Sequence, residues 1–290
     1  MENGVPPVHA NALSCVDLER FPLHQPDGEA YATRIAEARD SLATDGCCVL
    51  PGFIKREVLA ELAAESSDLA SHAHFAGSRA TVYGKNPDET QPAGHALREE
   101  VHRDNGFVAG DNIGATTHIR QLYHATSFRN FVGACVSFDE IHEFADPLAQ
   151  LVVNVVRPGK GHGWHFDSNE FIVTLVTQPP EAGGRFEYCP QIRTPQQENH
   201  ESVSEVLAGD SDLVKGLDLR AGDLQIFFGK LSLHRVTPVE GGLDRHTVIF
   251  AYARQANLYG NPEKTRQIFG RTTDQHETAG AKSRPDGLTG

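Results

Sequence analysis

The sequence predicts an α+β chain with a mainly β core and helices packed on it from the N-terminal part. Three observations carry that expectation. Residues 29–44 and 55–73 place Ala, Ile and Leu at helical spacing. From Leu151 onward the pattern changes to short β-rich runs, among them LVVNVV, FIVTLVTQ, RFEYC, LQIFF and HTVIFAY. Turns rich in Gly, Pro and Asp separate these runs, which is the spacing of an antiparallel sandwich or barrel. All-β domains run to about 200–250 residues as one unit. The expected organisation of the 290 residues is therefore an N-terminal arm over 1–28 and a single domain over 29–271. That domain divides into a helical part (29–145) and a β core (146–255), and the polar stretch 272–290 is expected to be a disordered tail.

In chain order, EAYATRIAEARDSLAT reads as a helix that Asp45-Gly46 ends, and CCVL as a strand closed by Pro51-Gly52. Leu59, Leu62 and Leu69 fall near one face of the second helix. Residues 75–115 are polar and rich in Gly, Asn and Asp, and read as a long loop of the kind that forms lids. Within it, REEVHRD (98–104) reads as a solvated helix face. SFRNFVGACV reads as a helix, and 196–216 as a polar, helical insert between core strands.

Composition narrows the function. Hydrophobic residues make up 39% and charged residues 22%, as in a folded globular protein. The net charge of −13 disfavours nucleic-acid binding through a broad basic face, and leans slightly toward a cationic substrate. No run is apolar enough for a membrane span, and the first residues lack a secretory signal pattern. The cysteines (15, 47, 48, 135 and 189) are odd in number and contain no C-x-x-C, so they read as reduced thiols of a cytoplasmic protein. A small-molecule partner is expected; oligomeric state is left open.

The chemistry concentrates in the β runs. His165-Phe166-Asp167 is an H-x-D, and residues two apart on a strand share a face. An imidazole and a carboxylate can thus converge on one metal ion, with His234 in SLHRV as third ligand. Two His and one carboxylate on one side of an ion leave open positions, the facial triad of non-haem Fe(II) oxygenases. Arg245 and Thr247 form an R-x-T on a later strand, a guanidinium and a hydroxyl suited to the far carboxylate of 2-oxoglutarate. Each piece has an ordinary explanation alone: this chain has 15 His, and most Arg side chains are solvated. The ordered set is far more specific than its parts.

Those residues carry a resemblance. The stretches NVVRPGKGHGWHFDSNEFIVTLVTQPPEAGGRFEYCP, LRAGDLQIFFGKLSLHRVTPVEGGLDRHTVIFAY and EKTRQIFGR resemble the Fe(II)/2-oxoglutarate-dependent oxygenases, and within them the HalD/BesD-like group of free amino acid halogenases and hydroxylases. The resemblance spans most of 30–270. It implies a double-stranded β-helix (jelly-roll or cupin-like) core, with Fe(II), 2-oxoglutarate and O2 as cofactors and co-substrates. It further implies hydroxylation of an unactivated C–H bond of a free amino acid or similar metabolite, with release of succinate and CO2. Halogenases of the group carry Gly or Ala at the carboxylate position, whereas this chain has Asp167, which points to oxygenation. The same chemistry giving desaturation, cyclisation or oxidative dealkylation of a specialised metabolite is the alternative. A non-redox cupin-like metal protein or isomerase is a more distant one, since it has no need of Arg245 and Thr247.

Further candidates surround the motif. Asn154 and Thr174, polar positions in apolar strands, are candidates to support the keto acid. His162, Trp164, Arg79 and Glu170 are candidate substrate contacts, His162 because the resembling group uses a His there.

Overall fold

The structure is a computed structural model that describes residues 12–279. Its first elements follow the helical periodicity. α1 (Glu29–Asp45) buries Tyr31, Ile35, Ala38 and Leu42 along one stripe, and Gly46 ends it in a left-handed conformation (φ 63°) that bonds its N–H to the Leu42 carbonyl. β1 (Cys47–Leu50) follows, then a 3-10 turn (Arg56–Val58) leading into α2 (Leu59–Ala70). β2 (His74–Phe75), β3 (Ser78–Ala80), β4 (Val101–Arg103) and β5 (Gly106–Val108) are short strands. α3 (His118–His124), capped by the Thr117 hydroxyl, and α4 (Thr126–Cys135) precede β6 (His142–Glu143).

The β core comprises β7 (Leu151–Val156), β8 (His162–His165), β9 (Ile172–Gln178), β10 (Ala182–Gly183) and β11 (Phe186–Cys189). After α5 (His200–Ala208) come β12 (Lys215–Leu217), β13 (Leu224–Phe227), β14 (Leu233–Val236), β15 (Val239–Glu240), β16 (Arg245–Phe250) and β17 (Tyr252–Ala253). Two C-terminal helices close the described chain, α6 (Pro262–Phe269) and α7 (Asp274–Ala279).

Two sheets dominate. The larger has seven strands in the order β1-β13-β9-β16-β7-β5-β2, the smaller six in the order β12-β11-β14-β8-β4-β3. Core strands alternate between them: β7, β9, β13 and β16 lie in the larger sheet, β8, β11 and β14 in the smaller, and neighbours pair antiparallel. That winding is a double-stranded β-helix.

The period of two decides what each strand offers to each side. On β7, Leu151, Val153 and Val155 join the main core beneath the helices, which leaves Asn154 on the opposite face. On β16, Val248 and Phe250 face that core, while Arg245 and Thr247 line the space between the sheets. On β9, Val173 and Leu175 go outward and Thr174 inward. Phe53, Phe128, Phe131 and Phe250 stack into the same core, fixing α4 against it. A second cluster, with Trp164, Phe166, Val203 and Leu233, packs on the outer side of the smaller sheet under α5.

Four sequence expectations need correction or completion. The stretch 75–115 is not one loose loop: β5 extends the larger sheet alongside β7, and β4 extends the smaller one alongside β8. Strands of three residues are too short for alternation to stand out in a polar segment. REEVHRD accordingly contains a strand, β4, rather than a helix face. The boundary of the disordered tail at 272 is also wrong, because α7 is folded and His276 is fully buried against Asp146. Residues 280–290 lie outside the described residues. Asp146 Oδ2 accepts from His276 Nε2 (2.8 Å) and from the Gly260 N–H (3.1 Å), and its Oδ1 accepts from the N–H of Leu148 (2.8 Å) and Ala149 (3.2 Å). One buried carboxylate thus ties the entry to α6, the helix beyond it and the start of β7. Of the N-terminal arm, residues 1–11 lie outside the described range, while Cys15, Val16, Phe21 and Leu23 are buried in the main core.

Candidate active site

The site forms where β8 and β14 run side by side. His165 and His234 are direct cross-strand partners, so their rings meet at a 4.1 Å centroid distance. The register shifts between His234 and Val236, and the bulge on β8 turns His162 inward as well. Its ring stacks on that of His165, centroids 3.7 Å apart and 15° from parallel.

Asp167 follows β8, held by its N–H to the Gly229 carbonyl (3.0 Å). Its two oxygens reach toward both imidazoles: Oδ1 lies 3.8 Å from His165 Nε2 and Oδ2 lies 3.5 Å from His234 Nε2. One ligand atom from each of the three residues lies within 4.8 Å of the others, close enough to share one ion. Gly229 is required by this packing, because a Cβ there would overlap the Asp167 carboxylate.

The electrostatics fit a cation between them. His165 Nδ1 is 2.8 Å from the Gly163 carbonyl and His234 Nδ1 is 3.0 Å from the Ser232 carbonyl. Donation from each Nδ1–H leaves the Nε2 lone pair free to bind metal. Burial, with His234 beside it, holds His165 down at about 3 against the pull of Asp167, so its ring is neutral. Burial alone would raise the Asp167 carboxyl, but the adjacent imidazoles hold it below its ordinary range. Its Oδ2 is buried without a hydrogen-bond partner. A desolvated, unpartnered carboxylate oxygen is costly unless something cationic sits there.

Next to this triad, a cavity of about 780 Å³ runs between the two sheets. Arg245 lies in its wall at 4% exposure, its guanidinium donating to the Thr247 hydroxyl. Burial is the sole influence on it and pushes it down to about 10, which keeps it charged at neutral pH. No carboxylate neutralises it among the described residues, so the cavity presents a dry cation to whatever enters. Thr174 Oγ1 donates to Gln225 Oε1 (3.1 Å), and Asn154 Oδ1 accepts from Asn105 Nδ2 (2.7 Å).

The structure brings His165, Asp167, His234, Arg245, Thr247, Asn154, Thr174 and His162 into this one cavity. Trp164 touches its wall, but the ring belongs to the second core cluster and lies under Arg235, 4.6 Å from the ring centroid. Glu170 stays outside: it is at the surface, 3.7 Å from Arg254, because the chain turns away after Asp167. Arg79 is exposed at the rim. It pairs in register with His102 while Arg103 pairs with Ser78, so Arg79 and Arg103 face opposite sides of the smaller sheet.

Arg103 is the residue that sequence reasoning missed. It is mostly buried in the cavity wall, burial lowers its pKa, and its Nε has no hydrogen-bond partner. It pairs in register with His162. Nothing in the local sequence pattern marks it. Gln225 could have been found, as a polar residue inside the apolar run LQIFF.

Comparisons with known proteins agree with this fold. The family model described as Halogenase D matches residues 30–269. No curated protein matches the chain. Among solved structures, a prolyl hydroxylase from Trichoplax adhaerens in complex with a hypoxia inducible factor peptide is 14% identical, covers 81% of this chain and 91% of its own, and superposes at a TM-score of 0.52. The epimerase SnoN, solved with Fe3+, alpha ketoglutarate and nogalamycin RO, is 13% identical over 77% of this chain and 84% of its own, with a TM-score of 0.52. AviO1 from Streptomyces viridochromogenes Tue57 is 17% identical over 79% and 96%, again at 0.52. At these identities the likeness is one of fold.

Proposed function

The chain belongs to the halogenase D family, and we propose that it is a 2-oxoglutarate-dependent iron dioxygenase that hydroxylates an unactivated C–H bond of a small metabolite bearing a carboxylate, a free amino acid or a close analogue. The observation that carries this is the buried, unpartnered Oδ2 of Asp167 facing two imidazoles whose Nε2 atoms are left available. His165, Asp167 and His234 hold the Fe(II). When bound, iron and 2-oxoglutarate supply oxidation of the C–H bond by O2, with release of succinate and CO2.

The protein's own side chains do the rest. Arg245 and Thr247 grip the distal carboxylate of 2-oxoglutarate through charge-assisted bonds worth about 1.5–3 kcal/mol each. Asn154 and Thr174 flank that co-substrate from the inner face of the larger sheet. A metal protein without 2-oxoglutarate would have no use for a buried, unneutralised Arg245. Arg103 and His162 receive the substrate carboxylate on the smaller-sheet side. Hydroxylation, not halogenation, is supported by Asp167 itself: a carboxylate occupies the position that a halide would need. The five cysteines are free and buried, which supports a reducing, cytoplasmic setting. No helix among the described residues is long and apolar enough to cross a membrane.

Anaerobic addition of Fe(II) and 2-oxoglutarate should give the metal-to-ligand absorption band, and a substrate should perturb it. Exposure to O2 should then yield succinate and a product heavier by one oxygen atom. Absence of the band, or a chlorinated product from the native chain in chloride, would overturn the reading.

A further inference from the structure

Beyond the residues assigned to 2-oxoglutarate, the inner face of the larger sheet turns apolar. The change runs the same way on three neighbouring strands: Thr247 to Ile249 on β16, Thr174 to Ile172 on β9 and Asn154 to Val152 on β7. Ile249 lies roughly 13 Å along β16 from Arg245, at about 3.3 Å per residue. It is half-buried, as are Phe107 of β5 and Ile268 of α6, and the three pack on one small cluster that includes Leu148, Val152 and Phe269. All three also line the cavity, so each turns one flank to that cluster and another to the open space at the mouth. Ile172, likewise half-buried in the wall, stands one diagonal step from Ile249, because Ile249 pairs in register with Thr174.

This patch adjoins the groups assigned to the substrate carboxylate. The Phe107 ring stands edge-on to that of His162, centroids 6.5 Å apart, and the Arg103 guanidinium carbon lies 5.8 Å from the Phe107 centroid. A ligand whose carboxylate meets Arg103 and His162 therefore has apolar surface within reach of its other end. Among the described residues, the acids in the cavity wall are Asp167, which faces the two imidazoles, and Glu263, exposed on α6. A charged side chain laid against Phe107, Ile249 and Ile268 would lose water and regain no hydrogen bond from them. A hydrocarbon there would free both surfaces from water. We propose that the substrate is an amino acid with a hydrocarbon side chain, which rests on Phe107, Ile249, Ile268 and Ile172. This reverses the lean toward a cationic substrate that overall charge suggests, because net charge describes the whole surface and the patch is where the side chain sits. The inference rests on the proposed function in placing the carboxylate at Arg103 and in calling the ligand the substrate.

The test is isothermal titration of a fixed panel onto the full chain, loaded with Mn(II) and 2-oxoglutarate and also without them. The panel pairs valine with threonine and leucine with asparagine, close in shape but different in polarity. Alanine, 2-aminobutyrate, norvaline, lysine and aspartate complete it. Each CH2 from alanine to norvaline should tighten binding by about fourfold. Leucine should bind about tenfold or more tighter than asparagine, lysine or aspartate. The ratio of leucine to asparagine affinity should not fall with added salt, since no charge is being screened. Ile268→Ala and, separately, Ile249→Ala should each cut that ratio several-fold while 2-oxoglutarate affinity holds, and thermal unfolding of each variant shows that it is folded. Asparagine, lysine or aspartate binding as tightly as leucine, affinity that does not grow with chain length, failure of every hydrocarbon member to bind, or an unchanged ratio in a folded variant would overturn the proposal. If 2-oxoglutarate itself does not bind, the function reading fails, while the panel without it still decides the side-chain question.

Discussion

The inner end of the cavity and its mouth are built in different ways. Inside, His165, His234, Arg245 and Thr247 project from four- and six-residue strands locked in two sheets, and each has a defined partner. At the mouth, the residues come from a three-residue edge strand, the chain after it and a C-terminal helix, and most are exposed. Strand-borne groups hold their positions closely, as the proposed oxidation of one C–H bond demands. Loops and edge elements tolerate change, so substrate choice is free to vary over an unchanged reaction centre. The comparison teaches that the two ends answer to different constraints, and each can be disturbed alone.

The sharpest way to break it is at the metal. His165→Ala or His234→Ala should weaken Fe(II) or Mn(II) binding by more than about 100-fold, beyond what indirect contacts to a metal cost, as read by equilibrium metal titration. Arg245→Ala comes next. Loss of a buried charge partner costs about 2–5 kcal/mol, so the 2-oxoglutarate Kd should rise accordingly while metal affinity is retained. Arg103→Gln should raise the KM for the primary substrate by the equivalent of about 1.5–3 kcal/mol and leave the 2-oxoglutarate Kd alone. An equal rise in both constants would mean that the two ends are not separate. Gly229→Ala should displace the Asp167 carboxylate and lower metal affinity by about ten- to a hundredfold, measured against the native chain with Co(II). The smallest effect belongs to Glu170→Ala, where stability and turnover should stay within about 0.5 kcal/mol of native, as for an ordinary surface change.

The same division explains what could be read from the sequence. R-x-T was legible because alternation along the apolar strand RHTVIF fixes which residues share a face, whereas H-x-D and His234, on or just after four-residue strands, were legible from their residue types and order. The core helices were legible for the matching reason at helical spacing. Arg103 and Asn105 were not, since Arg103 lies on a three-residue strand and Asn105 between β4 and β5, and both gain their meaning from partners on β8 and β7, distant in sequence. Glu170 misled because proximity in sequence to Asp167 is not proximity in space once the chain leaves the strand. The tail boundary misled because α7 is mostly polar, and His276, buried within it, is held by a hydrogen bond that no hydrophobic pattern announces.

That bond gives the roof of the cavity a dependence on sequence far from it. α6 supplies Glu263, Lys264, Gln267 and Ile268 to the wall, and Asp146 clasps the chain on either side of that helix, at Gly260 and at His276. Trimming the protein after Gly270 would spare every side chain assigned to chemistry, yet strand an anion in a dry interior and unfasten one hinge of the roof. Shortening an apparently idle end would then be felt first as slack over the entrance, in how faithfully one ligand is preferred to another, before iron or 2-oxoglutarate noticed anything.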